Sequence, residues 1–285
     1  MLAQGGYEHL CLPSEFDPKR RAVTSLGFAD PRTKPGELLF PALFPKEVLD
    51  QAKKDLGSID YSAQHQQLPV PMSGGLFQRE WFEKHFYTTL PPVFHEIIAS
   101  WDMSFKDTKS ASYVVAQLWG RLGADVYLLY ERRGQMNYPT TRKAVKEISA
   151  APVRGYGSTT IYQPALLKLV EDKANGPAII DDLRAEIPGL VAVDPDGSKE
   201  ARAAAVSPMC EAGNVHLPDP AIWPEVSEWL DEICTFPKGV HDDRVDAFTQ
   251  ALKRLKDHIQ GTSGRDDHSK NGQLTEAAAV SQERF

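Results

Sequence analysis

The chain has 285 residues, 41% hydrophobic and 25% charged, which is enough to bury a sizeable core. A net charge of −7 excludes a uniformly basic nucleic-acid coat but leaves room for an acidic site flanked by a local basic groove. Cys11, Cys210 and Cys234 form no CxxC pair, so neither a zinc cage nor a disulfide framework is indicated and a reducing, intracellular setting is expected. No apolar run approaches membrane-spanning length and the N-terminus lacks a basic-then-apolar leader, so a soluble, cytosolic protein is expected.

Residues 1–45 are punctuated by Pro13, Pro18, Pro31, Pro35, Pro41 and Pro45 and carry no evident core; they read as a strap, or the tail of something larger. The spacing of Val48, Leu49, Ala52 and Leu56 predicts a helix over 46–56 with Gly57 as its C-cap. Tyr61–Gln67 and the Pro- and Gly-rich run after it read as a linker, with a boundary over 68–92 that ends at Pro91-Pro92. From Val93 the pattern changes. Apolar runs predict strands over 96–101, 112–119 and 125–131, then a helix over 138–149 broken by Pro152. A fourth strand over 165–170 leads to Glu171, a helix follows over 176–187, and a fifth strand over 190–193 stops at Asp194-Pro195. Ser198 caps the next helix, and two more cover 222–234 and 242–259. Beyond Gly261 the chain is Ser-, Gly- and charge-rich and is expected to be a disordered tail. The expected domains are therefore 1–92, 93–260 and a tail over 261–285.

The most informative feature is His241-Asp242-Asp243 with Asp246 one turn on. Like charges at that spacing repel, so a solvated helix start gains little from them. Asp102 and Glu171 each end an apolar strand run, and in a sheet where those strands are neighbours both would project from one edge. Mg²⁺ and Mn²⁺ prefer carboxylate oxygen, and two-metal phosphodiester cleavage needs acids converging from separate parts of a chain. Each residue also has a plain structural reading. Asp102 suits a turn, Glu171 a solvated charge cluster with Asp172 and Lys173, and Asp242-Asp243 an N-cap and first-turn pair. Asp242 and Asp243 flank the apolar stripe of Val245, Phe248, Leu252 and Leu255 almost symmetrically, so periodicity does not decide which faces the sheet; the acids are expected opposite that stripe. His241 reads as a capping or packing residue, and the five tryptophans as core. Lys173, Lys199, Arg202 and Arg244 are candidate phosphate contacts with surface charge as the rival reading. The chain contains no Gly-Lys dipeptide and hence no P-loop.

Four stretches occur in order: Glu171-Asp172-Lys173-Ala174-Asn175-Gly176, Gly197-Ser198-Lys199-Glu200-Ala201-Arg202, Glu211-Ala212-Gly213-Asn214-Val215, and Phe236-Pro237 through His241-Asp242-Asp243-Arg244-Val245-Asp246-Ala247. Together they resemble the C-terminal nuclease domain of tailed-phage terminase large subunits over roughly residues 93–258. Tyr61–Gln67 with Pro69–Phe77 and Trp81-Phe82 is similar to the segment joining such a protein's ATPase domain to its nuclease. The resemblance implies an α/β, RNase H-like fold of the resolvase and integrase kind, a mixed five-stranded sheet flanked by helices. It also implies two-ion, Mg²⁺- or Mn²⁺-dependent cleavage of concatemeric double-stranded DNA in the host cytoplasm, with the terminase small subunit and portal protein as partners. The family's metal-holding acids match Asp102, Glu171 and the Asp242/Asp243 pair. The Asp243–Asp246 spacing resembles the closing acid pair of resolvases, which makes Asp243 the principal third ligand, with Asp242 and Asp246 supporting. A full terminase large subunit begins with a Walker-type ATPase, of which only the final portion is expected within 1–92. Two rivals are a docking module silent without its motor and a resolvase of branched DNA.

Overall fold

The computed structural model describes residues 10–68, 75–103, 113–173, 175–239 and 241–263. The chain divides into two units, one ending at Ser73 and the other beginning at Gly74. The break falls inside the 68–92 region where a boundary is expected from the sequence. Leu76, Phe77 and Phe82 are buried in one core of the second unit, and Tyr87 and Leu90 in the other, so 75–92 packs with the sheet.

The first unit encloses few apolar side chains, among them Phe16, Leu49 and Tyr61. Polar pairing fills the gap. Arg32 lies buried against Asp30 at 2.8 Å and also donates to the carbonyls of Pro13 and Glu37, so one guanidinium ties three points of a proline-rich strap. Helix α1 (Lys46–Gln64) starts where predicted. Gly57, at φ 71°, breaks it as a cap would, but helical geometry then resumes and runs to Gln64, past the end expected at Leu56.

The second unit opens with the short helix α2 (Arg79–Glu83). The antiparallel meander β1 (Glu96–Met103), β2 (Val114–Leu122) and β3 (Asp125–Gly134) follows. After α3 (Tyr138–Ala150), strand β4 (Leu167–Glu171) returns parallel to β1, and after α4 (Gly176–Leu183), β5 (Leu190–Val193) lies parallel to β4. Helix α5 (Lys199–Glu211) leads to β6 (Val215–His216), which pairs parallel to β3. Two helices complete the unit, α6 (Val226–Thr235) and α7 (Asp243–Ser263). The sheet order is β5-β4-β1-β2-β3-β6, six strands rather than the five expected, because a two-residue strand carries no periodicity to read. Helix α7 runs to Ser263, past the point where the tail was expected to start; residues 264–285 lie outside the described residues.

Strand alternation sorts the sheet's two faces. Ile98, Trp119, Leu128 and Leu169 join the core made with α5, α6 and α7, including Trp229, Val245, Phe248 and Leu252. Ala99, Trp101, Leu118, Leu129 and Val170 join the opposite core made with α3 and α4, including Val145, Ile148, Ile179 and Leu183. Ser100, in phase with Ile98, donates to the Ala247 carbonyl at 2.7 Å, and Gln250 donates back to Ser100 at 2.9 Å. Those bonds fix α7 across β1.

Candidate active site

Strand phase places the first two acids. Asp102 follows Ser100 by two on β1, and Glu171 follows Leu169 by two on β4, so both lie on the face that α7 covers. The parallel register pairs Ser100 with Leu169 and Trp101 with Val170, so Asp102 and Glu171 are the next residues on their two strands. On the other side of β1, Asp102 is opposite Val115 and Met103 opposite Val114. One residue before Val114, the Tyr113 backbone N–H donates to Asp243. The first turn of α7 thus bridges the strand ends, with Asp243 tied to the start of β2. Asp246 lies close enough to Glu171 for its charge to act there. Gly176 lets α4 start beneath this edge, since a Cβ there would collide with the Glu171 carbonyl oxygen.

Residues 243–249 of α7 are all buried. The acids share that cover: Asp243 and Asp246 are 7% and 6% exposed. Asp246 is doubly paired. Arg202 Nη2 stands 2.6 Å from its Oδ1 and Lys199 Nζ 2.6 Å from its Oδ2. Lys199 Nζ also lies 2.7 Å from Asp242 Oδ2, and Arg202 lies 4.0 Å from Glu171.

The family model of the terminase RNaseH-like domain matches residues 99–255, which contain Asp102, Glu171 and the whole acidic turn. The chain belongs to this family. A comparison with curated proteins gave no match. Among solved structures, the large terminase of a thermophilic bacteriophage in complex with ATP-gamma-S is similar at 14% identity, covering 73% of this chain and 52% of that one, with a TM-score of 0.53. Another structure of the same phage's large terminase gives 14% identity, 74% and 52% coverage and a TM-score of 0.50. The large terminase nuclease of thermophilic phage G20c with bound magnesium gives 16% identity, 64% and 98% coverage and a TM-score of 0.46. The likeness to the first two structures is one of fold, and the chain spans about half the length of the large terminase they contain. The terminase resemblance and the RNase H-like fold expected from the sequence are both borne out at this level.

The electrostatics of the terminase domain's acids follow from their cover. Burial raises the Glu171 pKa, with the Asp246 charge adding and Arg202, Lys199 and Lys173 opposing. Burial also raises that of Asp243, where Glu232 and Asp242 add and the Tyr113 N–H and Arg133 oppose. All the candidate donors are carboxylate oxygens, which suits a hard divalent cation, and a cation here would relieve both shifts. Among the described residues, however, no group of three or more His, Cys, Asp or Glu side chains is gathered tightly enough to hold a metal; Lys199 and Arg202 stand among the acids instead. No helix among the described residues is long and apolar enough to cross a membrane.

Of the candidate phosphate contacts, Lys173 is exposed and Lys199 and Arg202 line the acidic turn. Arg244 is a correction. It is 5% exposed, with its guanidinium 2.8 Å from Glu131 and 3.4 Å from Glu232, so it is enclosed by two carboxylates and is not offered to a phosphate. Sequence reading missed Glu232, which accepts the Arg244 backbone N–H at 2.8 Å and so satisfies one of the otherwise unpartnered N–H groups of the first turn of α7. It lies in α6, and nothing in its local pattern marks it.

A carboxyl with a raised pKa holds its proton more tightly in the folded state than in the unfolded chain. Its favourable contribution is full below the unfolded value and is lost as pH rises through the folded one. Glu171→Gln is therefore expected to raise the melting temperature of metal-free protein at neutral pH, with the gain shrinking as pH falls toward the ordinary carboxylate range. A fall in melting temperature at neutral pH would contradict the assignment.

Proposed function

We propose that the domain is a metal-dependent endonuclease that cuts concatemeric double-stranded DNA when packaging of a viral genome begins and ends. The observation that carries this reading is the adjacency of Asp102 and Glu171 at the ends of neighbouring parallel strands, beneath the acidic first turn of α7, in a chain of the terminase family. Asp102, Glu171 and Asp243 would hold Mg²⁺ or Mn²⁺, as two ions, with Asp242 and Asp246 in support. When bound, such ions lower the pKa of water and neutralise charge on the phosphate under attack.

The chain's own residues do the rest. The strand ends hold Asp102 and Glu171 rigidly, and the Tyr113 N–H orients Asp243. Lys173 and the partly exposed Lys199 give the DNA backbone a basic margin beside the acids, so affinity is carried by phosphate contacts and is salt-sensitive. Double-stranded DNA, a terminase small subunit and a portal protein are the partners this reading implies, in the host cytoplasm.

The test is cleavage of supercoiled plasmid by purified protein in Mn²⁺ and Mg²⁺. Nicked and linear products that disappear with a chelator are expected. Cutting that persists in chelator would sink the metal role. Preference for a four-way junction over linear duplex would place the domain with resolvases, and cleavage only after adding portal or small subunit would make it a docking module first.

A further inference from the structure

We propose that Lys199 is an internal counter-ion that competes with divalent metal for Asp242 and Asp246, so that metal binding requires this lysine to leave. The inference rests on the metal-dependent reading above. Ser198 caps α5, its side chain accepting from the Ala201 N–H at 3.2 Å, and this puts Lys199 in the first helical position with Arg202 three residues on. Positive charge there runs against the helix dipole and is unfavourable. Local helix energetics therefore do not account for these two cations. The partners across from them do. The Lys199 ammonium lies within 2.7 Å of a carboxylate oxygen on each of Asp242 and Asp246, bridging the two as a small metal ion would.

The two basic residues differ in how firmly they are held. Arg202 has a side chain only 10% exposed, grips the other oxygen of Asp246, and also faces Glu171. Lys199 is 40% exposed on a flexible stem, and its outer partner Asp242 is 45% exposed. Arg202 is thus the fixed anchor of Asp246, and Lys199 the removable charge. An ammonium and a divalent ion cannot both occupy the bridging position between these two Oδ2 atoms, so the two compete for it. The arrangement keeps the acidic turn neutralised in metal-free protein, at the expense of metal affinity.

The test is a Mn²⁺ titration of the full chain without DNA, followed by calorimetry and by melting temperature, for wild type, Lys199→Met and Lys199→Arg. Lys199→Met is expected to lower the melting temperature of the metal-free protein and to tighten Mn²⁺ binding roughly fivefold to tenfold, the size of one partly exposed ion pair. Lys199→Arg, which keeps the charge, should stay near wild type. Equal Mn²⁺ affinity in wild type and Lys199→Met, or weaker binding by Lys199→Met, overturns the counter-ion while leaving metal binding intact. Failure of all three proteins to bind Mn²⁺ overturns both readings together.

Discussion

Asp102→Asn is expected to reduce plasmid nicking in Mn²⁺ on the order of 10³-fold, the ~4 kcal/mol that one preorganised charge contact in a transition state is worth. Asp102 lies in the middle of the proposed set, flanked through the sheet by Glu171 on β4 and by the start of β2, where Asp243 is tied down. An amide of the same shape keeps the packing of a residue that is 4% exposed, so the melting temperature should move by only a few degrees, which circular dichroism would check. Asp243→Asn should behave alike. Asp246→Asn differs, because it also strips the partner from Lys199 and Arg202 and should cost stability as well as activity. Nicking by Asp102→Asn within tenfold of wild type would remove Asp102 from the site.

The second large effect is on folding. Arg244→Met leaves Glu131 and Glu232 buried without their shared guanidinium. Breaking a buried pair from one side costs about 3–5 kcal/mol, which in a unit of this size lowers the melting temperature by roughly 6–20 °C. Burial already pushes the Glu131 pKa up against the pull of Arg244, so without the arginine that carboxyl holds its proton more readily still. Its destabilising effect is then strongest at high pH, and the loss should be smaller in mildly acidic buffer than at neutral pH. Adding Glu131→Gln and Glu232→Gln to the variant should recover part of the loss. An unchanged melting temperature with weakened DNA binding would return Arg244 to the phosphate-contact role that its position in the sequence suggested.

Much of the frame was legible because its signals are local. The apolar runs of β1, β3, β4 and β5 are bounded by polar turns, and Ser198 and Asn137 cap α5 and α3 through their own side chains. Asp102 and Glu171 were visible as acids near strand ends, but their adjacency depends on β4 joining the far side of β1, which is a matter of register. The misreadings share one cause. Arg244 looked like a surface cation or a phosphate contact, and the cations around the acids of α7 were not foreseen, because periodicity reports only one helix at a time. What encloses them comes from elsewhere: Glu131 from β3, Glu232 from α6, Lys199 and Arg202 from α5. Residues 75–92 show the same limit, since their prolines and glycine resemble a linker while Phe77 and Phe82 pack edge-on against Phe248 of α7.

The strand order also sets when such a site can exist. The meander carrying Asp102 pairs its strands with near neighbours and is free to form early, whereas β4 must close back onto β1 across the length of β2, β3 and α3. Contacts between distant points of a chain form more slowly than local ones. Asp243 arrives later still, on a helix that follows all six strands. A nascent chain leaving the ribosome would therefore expose its first acid long before it could gather the others.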